Sequence, residues 1–468
     1  MDVVQDLLTN AQLNWKLFLN ALDQNPYAQQ VMVYVQLVEQ ALKDYDWDGV
    51  PWKTYAIYFM MIVYVWETYL DIRQHLRLKL KTLPKALNGI IEKATFEKSS
   101  AYGLDKSSFH FVSAFINQVQ GIAILHYDFF PLVWNYSNQL LVDFGYVPVN
   151  QIFQSILFSS ILIVFFTVIG IPISLYQNFV IEARHGFNKQ TYGLFFSDTI
   201  KSLLLTLGIG MPVLGLALYI IDWAGDNFYF YVWLFLVTFQ IFFMAIFPTF
   251  IQPLFNKYTA LEEGSLQKKI DALAGKLKFP LTKVYVVDGS KRSGHSNAYF
   301  YGFFGNKRIV IFDTLLKQCN EEEVIAVLAH ELGHWNYNHV FKRLVIAQLH
   351  IFILFYMFSR FVNLLSIYQS FGFESKSVLI GFLLFQYIYA PVESVIGFIM
   401  NIVSRSDEFQ ADSFAQNFGL EKNLKTGLIK IQTENLGNMN PDPLYSVWHH
   451  SHPPLIQRLA ALDSKKRK

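Results

Sequence analysis

Runs of apolar residues long enough to cross a lipid bilayer constrain this chain more than any other feature. About 20 residues in a helix span the hydrocarbon, and a helix satisfies its own backbone hydrogen bonds there. Such runs cover roughly 53–70, 152–180, 202–221, 229–251, 344–366 and 378–403. A weaker segment, 109–142, is interrupted by Asn117, Gln118, Gln120, His126 and Asp128. Composition agrees: 53% of the 468 residues are hydrophobic and only 16% charged, against about 25% charged in soluble domains. A net charge of +2 gives no reason to expect nucleic acid. The single cysteine, Cys319, excludes an intramolecular disulfide and leaves a cysteine-protease reading resting on one residue in a polar turn. Residues 1–30 lack the basic start and compact apolar run of a cleavable signal peptide, so none is expected.

Charge orients the spans. Arg73, Arg77, Lys79, Lys81, Lys85, Lys93, Lys98 and Lys106 follow the first run, which places 71–108 in the cytosol and the N-terminus in the lumen. If 109–142 also crosses, the loop with Arg184, Lys189 and Lys201 returns to the cytosol and the acidic turn at Asp222 and Asp226 becomes lumenal. Seven spans is therefore the self-consistent count.

The chain divides into an N-terminal extension (1–52), five spans (53–253), a polar unit (254–343), two spans (344–403) and a helical C-terminal region (404–468). The expected polar unit is αβ: a helix near 262–278, strands at Lys283–Asp288 and Arg308–Asp313, then another helix. With seven spans it shares the cytosolic side with 404–468. No repeat and no low-complexity tract occurs.

Within the polar unit, His330-Glu331-Leu332-Gly333-His334 fits H-E-x-x-H. Four residues make one helical turn, so both imidazoles reach one point and can hold Zn²⁺, with Glu331 placed to take a proton from water. Asn320 and Glu323 match a capping box, and the three glutamates at 321–323 suit the positive end of a helix dipole. A metzincin would carry a histidine six residues after His334, where Val340 stands; His339 is one short. The flanking Asn336, Asn338, Lys342 and Arg343 place the motif at the membrane edge, outside a span. Asn440-Pro441-Asp442 reads as a turn.

A peptidase zinc site needs a third protein ligand with one position left open. Glu408, which follows the last span on the same face of the membrane, is the best candidate. Asp412, one turn on, can hydrogen-bond a ligating histidine. Taken without the motif, both would read as a solvated helix face. Glu393, an acid inside the last span, is the second choice for ligand, or else a polar contact within the bundle.

These residues carry a resemblance to the type I CaaX prenyl endopeptidases. It extends from about residue 53 to 462 and rests on Phe96–Ser99, Glu182–Asn188 (EARHGFN), Asp288–Tyr301 (DGSKRSGHSNAYFY), Arg308–Thr314, Ala329–Trp335, Glu408–Phe414 and His449–Pro454 (HHSHPP). The resemblance implies an all-α multi-pass membrane protein, seven helices enclosing a water-filled chamber, with a small α+β gluzincin-type catalytic unit. It implies one Zn²⁺ on His330, His334 and Glu408, activation of water by Glu331, and a location in the endoplasmic reticulum or inner nuclear membrane. It implies farnesylated CaaX proteins as substrates, losing their last three residues, some with a second upstream cut.

Other roles follow only from that resemblance. The stretch from His295 to Phe300 would offer an edge to an extended substrate, making Asn297 and Tyr299 substrate-binding; otherwise it is a hairpin strand. His452 would stabilise the oxyanion, and Arg458 a substrate or product carboxylate; otherwise they are a turn histidine and a helix-face arginine. The tail Lys465-Lys466-Arg467-Lys468 has the form of a dilysine retrieval signal, or of a basic tail near anionic lipid. The extension 1–52 has no counterpart in the resemblance. Two alternatives stand beside this reading: a broader membrane protease for unprenylated or translocation-arrested chains, and a non-catalytic scaffold with structural zinc closed by a fourth protein ligand.

Overall fold

The computed structural model describes residues 49–302 and 306–464, with the isolated positions 29, 33, 37, 40 and 47. The expectations for the N-terminal extension and for Lys465–Lys468 lie outside them.

Helices dominate: α1 (Trp52–Leu78), α2 (Lys93–His126), α3 (Phe129–Asp143), α4 (Gln151–Tyr176), α5 (Tyr192–Leu205), α6 (Met211–Ala224) and α7 (Phe228–Ile246) precede the polar unit. Each of α1, α2, α3, α4, α6 and α7 packs on the next of that set. The two helices after the polar unit, α10 (His339–Phe361) and α11 (Val378–Asn417), complete a ring, because α10 packs on α7 and α11 returns to α1.

Among the described residues, five helical runs are long and apolar enough to cross a membrane: Lys93–His126, Gln151–Glu182, Tyr192–Leu254, His339–Phe361 and Val378–Asn417. The weak segment 109–142 divides at Asp128, whose left-handed φ of 51° ends α2 and starts α3. Its first half joins the polar turns from Lys93 into one span-length helix. By contrast α1, expected as a clear span, is not among the five, since Glu67, Asp71 and Arg73 interrupt its apolar surface.

Those polar side chains face inward. Asp71 pairs with His110 at 3.0 Å and Glu67 with His449 at 3.0 Å. Two cavities of about 490 and 480 Å³ meet at Asp71 and His110; Tyr102, His295 and Asn435 also line the first, and Glu67, Gln118 and His449 the second.

The polar unit holds β1 (Tyr258–Ala260), α8 (Ser265–Leu277), β2 (Leu281–Val287), β3 (Ala298–Tyr301), β4 (Lys307–Phe312) and α9 (Glu321–Asn336). The sheet order is β1-β2-β4-β3, with β2 and β4 parallel and both outer strands antiparallel. Ile309, Ile311 and Ala298 pack with Val324, Leu328 and Leu332, so α9 lies against the sheet. Behind it come α12 (Glu421–Glu434), α13 (Pro443–His449) and α14 (Leu455–Asp463). The Asn440–Asp442 turn ends in Asp442, which caps α13 and binds Arg73 through two 3.0 Å hydrogen bonds.

Candidate metal centre

The capping box at the start of α9 forms as the sequence predicts. Asn320 Oδ1 accepts from the Glu323 amide (3.0 Å), and Glu323 accepts from the Asn320 amide (2.9 Å). Glu323 also takes Lys430 Nζ at 2.7 Å, which ties α9 to α12. Gly333 then allows close approach to α11: a Cβ there would lie 3.1 Å from Ala411 Cα and 3.1 Å from Phe414 Cβ. That approach brings one face of α9 onto the acidic turn of α11. The helix runs unbroken through the 403/404 boundary between the last apolar run and the C-terminal region.

His330 Nε2 and His334 Nε2 are 3.3 Å apart; Glu408 Oε2 is 3.4 Å from the first and Glu408 Oε1 3.3 Å from the second. Ligands at 2.0–2.1 Å from a tetrahedral centre are separated by about 3.3–3.4 Å, so these atoms have the spacing of a metal's ligand set. Glu408 is 3% exposed, and its Oε2 accepts no well-formed hydrogen bond, with His330 Nε2 at 3.4 Å and Arg458 Nη1 at 3.7 Å. A buried carboxylate oxygen left so is costly unless a cation meets it. The His330 ring shows the same field: burial alone would lower its pKa, but hydrogen bonds with Asp412 and Glu408 push it up to about 9. The residues fit a bound cation.

Each histidine is held at its outer nitrogen. His330 Nδ1 meets Asp412 Oδ1 at 2.9 Å. His334 Nδ1 meets His339 Nδ1 at 2.9 Å, and His339 is buried with its Nε2 3.5 Å from Asp407. Asp407 takes Arg343 at 2.8 and 3.0 Å. Sequence reasoning missed this second chain. The signal was there: His339 was noted for metzincin spacing, but Asn338, with a left-handed φ of 56°, breaks the helix and turns His339 back toward His334.

Other expected residues are placed as follows. Glu331 is half-buried, and burial raises its carboxyl pKa while His330 and His334 oppose the shift. His452 Nε2 lies 3.3 Å from Glu408 Oε1, with Ser451 Oγ 2.9 Å from its other nitrogen. Arg458 is committed to Asp412, at 2.8 Å from Nε and 2.6 Å from Nη2. This pairing turns its guanidinium toward the metal-site carboxylates and uses two of its three nitrogens.

The strand β3 is a sheet edge, as the exposed-edge reading requires. Asn297 accepts the Phe312 amide through its carbonyl (3.0 Å), and its side chain accepts the Ala298 amide (2.8 Å). Strand alternation sends the Tyr299 side chain to the face opposite Ala298, where its hydroxyl accepts from Gln252 Nε2 at 3.2 Å. Its backbone, two residues from the Asn297 carbonyl bonded to Phe312, faces β4 as well, which leaves the backbones of Ala298 and Phe300 to face the free edge. Glu393 sits 3.6 Å from His350 inside the bundle, apart from the cluster. Among the described residues, His330, His334 and Glu408 are the only group of three or more such side chains close enough to share a metal ion.

Two family models match consecutive parts of the chain. Residues 73–257 match the CAAX prenyl protease N-terminal region of five membrane helices, and residues 260–466 match peptidase family M48. The CAAX prenyl protease 1 homolog of Arabidopsis thaliana is 46% identical over 90% of this chain and 99% of its own length. The Homo sapiens homolog is 42% identical over 88% of this chain and 95% of its own. The crystal structure of S. mikatae Ste24p superposes with a TM-score of 0.84 at 41% identity, covering 89% of this chain and all of that one. Fold and site thus define a multi-pass membrane metallopeptidase, and the non-catalytic scaffold falls away. The chain belongs to the CAAX prenyl protease group of peptidase family M48.

Proposed function

We propose that this protein is a zinc endopeptidase that removes the C-terminal tripeptide from farnesylated CaaX proteins, with a second upstream cut on some of them. The cluster of His330, His334 and Glu408 carries the proposal. Two imidazoles and a carboxylate at tetrahedral spacing suit zinc. The names of the related proteins support the substrate class.

In this reading His330, His334 and Glu408 hold the ion, and Asp412 keeps His330 in the tautomer that presents Nε2. A bound zinc supplies Lewis-acid polarisation of the scissile carbonyl. Glu331 takes the proton of the attacking water and passes it to the departing amine; its raised pKa improves the first transfer. His452, beside Glu408, donates a hydrogen bond to the developing oxyanion. The free edge of β3, whose outward backbone groups are those of Ala298 and Phe300 between and beside Asn297 and Tyr299, would hold the substrate extended. Arg458 serves the site chiefly by fixing Asp412.

The same reading extends to the membrane. The five long runs become seven spans once Tyr192–Leu254 is divided at Gly225, which has a φ of 55°, and α1 is counted. The closed order of helices and the polar cavities support an enclosed chamber. The sheet-backed α9 with a glutamate from a later helix supports a gluzincin-type unit. The basic loops favour a cytosolic active site in the endoplasmic reticulum, and the inner nuclear membrane is continuous with it. The divisions at 52/53 and 253/254 fall at the ends of elements, whereas 343/344 lies within α10 and 403/404 within α11, so both of these are chemical boundaries within a helix.

Glu331→Gln tests the reading. Purified in detergent, it should keep one zinc per chain and lose cleavage of a farnesylated peptide by at least about a thousandfold. Unchanged cleavage refutes the assignment. Comparing one peptide with and without its farnesyl group separates this function from broader clearance of unprenylated chains.

A further inference from the structure

The EARHGFN segment, residues 182–188, lies outside the metal site, yet it meets the loop that leads into β3. Glu182 closes a widened π-turn, Gln177–Glu182, at the end of the α4 run. It accepts the Tyr102 hydroxyl from α2 at 2.8 and 2.9 Å, and His295 Nε2 stands 3.5 Å away. Phe187 stacks on the His295 ring, with centroids 4.1 Å apart and planes 17° from parallel. The backbones join as well: Gly294 donates to Phe187 (3.0 Å), Lys189 donates to Arg292 (3.1 Å), and Asn188 bridges to Ser293. Tyr102 and Phe187 are buried, so these contacts form a packed joint.

Arg292 continues the joint, binding Asp198 at 2.8 and 3.0 Å. Three residues after His295 the edge strand begins. The 490 Å³ cavity straddles the same seam, with Tyr102 on the membrane side and His295 and Asn435 on the other.

An extended substrate lying across this seam touches two bodies: the wall of the membrane cavity and the β3 edge beside the metal cluster. Its register on β3 is poorly specified by pairing alone, because a four-residue strand offers few hydrogen bonds and a two-residue slip of about 6.8 Å preserves the side-chain faces. What selects the register is the fixed offset between cavity wall and strand edge. We propose that Glu182 and Phe187 are positioning residues which set that offset through His295 and so determine which peptide bond is cut. The proposal rests on the CaaX-protease reading above.

The experiment uses the full-length, zinc-loaded protein in detergent, a farnesylated CaaX peptide, and mass spectrometry of all products. Phe187→Ala removes the stacking partner, Tyr102→Phe removes the hydroxyl that holds Glu182, and Phe187→Tyr retains an aromatic ring. Phe187→Ala should raise KM about tenfold with kcat within about twofold, and should add products cut one or two bonds from the normal site. Tyr102→Phe should shift the distribution in the same direction to a smaller extent, and Phe187→Tyr should restore the normal cut. Zinc content should remain at the wild-type value in all three. A single normal product from both Phe187→Ala and Tyr102→Phe overturns the proposal. So does loss of zinc or fold in Phe187→Ala when the milder Tyr102→Phe keeps the normal product distribution. If the wild-type protein fails to cut the peptide, the underlying reading fails instead.

Discussion

Asp412→Ala separates two jobs performed by one carboxylate. Asp412 is 1% exposed and makes three short contacts, to His330 Nδ1 and to Nε and Nη2 of Arg458. Truncation leaves the Arg458 guanidinium, 12% exposed, without its bidentate partner. Breaking one side of a buried ion pair costs about 3–5 kcal/mol. Glu408 remains 3.7 Å from Nη1, which places the expected loss of fold stability near the lower end of that range. Independently, removing the outer partner of a ligating histidine weakens metal binding by about 10- to 100-fold, or about 1.4–2.7 kcal/mol. The double variant Asp412→Ala, Arg458→Met replaces the charge pair with apolar groups and should recover most of the stability. It should not recover metal affinity, because His330 Nδ1 still lacks its acceptor. Thermal melts of the metal-free proteins report the first quantity; chelator-competition titration with zinc reports the second. If the double variant regains both, Asp412 acts only through the fold and its role as a histidine partner is refuted.

Three further outcomes are expected. His339→Ala should weaken zinc binding by about 10-fold or more through the orphaned His334 Nδ1, while His339→Asn, which keeps an acceptor, should lose much less; equal zinc dissociation constants for the two would count against this. Gly333→Val should push α9 from α11, costing about 1–3 kcal/mol and lowering metal affinity, and an unchanged melting temperature would show that the helices yield freely. Because burial raises the Glu331 carboxyl, and only its deprotonated form serves as base, kcat/KM should fall as pH drops through a value above the usual carboxylate pKa of about 4.3; a flat profile from about pH 7 to pH 4.5 would contradict the assignment.

The apolar runs made the helical membrane architecture legible because hydrocarbon length leaves few alternatives. They were less informative about α1, read as a span over 53–70, because the polar partners of Glu67 and Asp71, His449 and His110, lie on other elements. Likewise 109–142 was bounded by hydropathy, whereas α2 starts at Lys93 with polar turns. At the metal cluster, one-turn spacing placed His330 beside His334, and the same spacing suggested that Asp412 lies near Glu408. His339 and Asp407 escaped because their association depends on a left-handed residue and on two helices crossing. Tyr299 shows the reverse limit: the strand was visible in the alternation, but which face each side chain takes depends on the packing of α9.

The unbroken α11 gives the site a mechanical property. From Ala390 to Glu408 the helix extends about 27 Å, so a rigid tilt of only 5° about its membrane end would carry the ligand about 2 Å. That exceeds the tolerance of a metal–ligand bond, so the lateral stays at Asp407–Arg343 and Asp412–Arg458 act as guy-lines on the free end of a lever. Bilayer thickness tilts long helices, and with Glu408 in the ligand role proposed above such a lever would carry membrane strain to the metal site. Zinc dissociation measured in bilayers of graded acyl-chain length should therefore vary with thickness, most steeply in Arg343→Ala; identical rates across the series would show that the lever is stiffly moored.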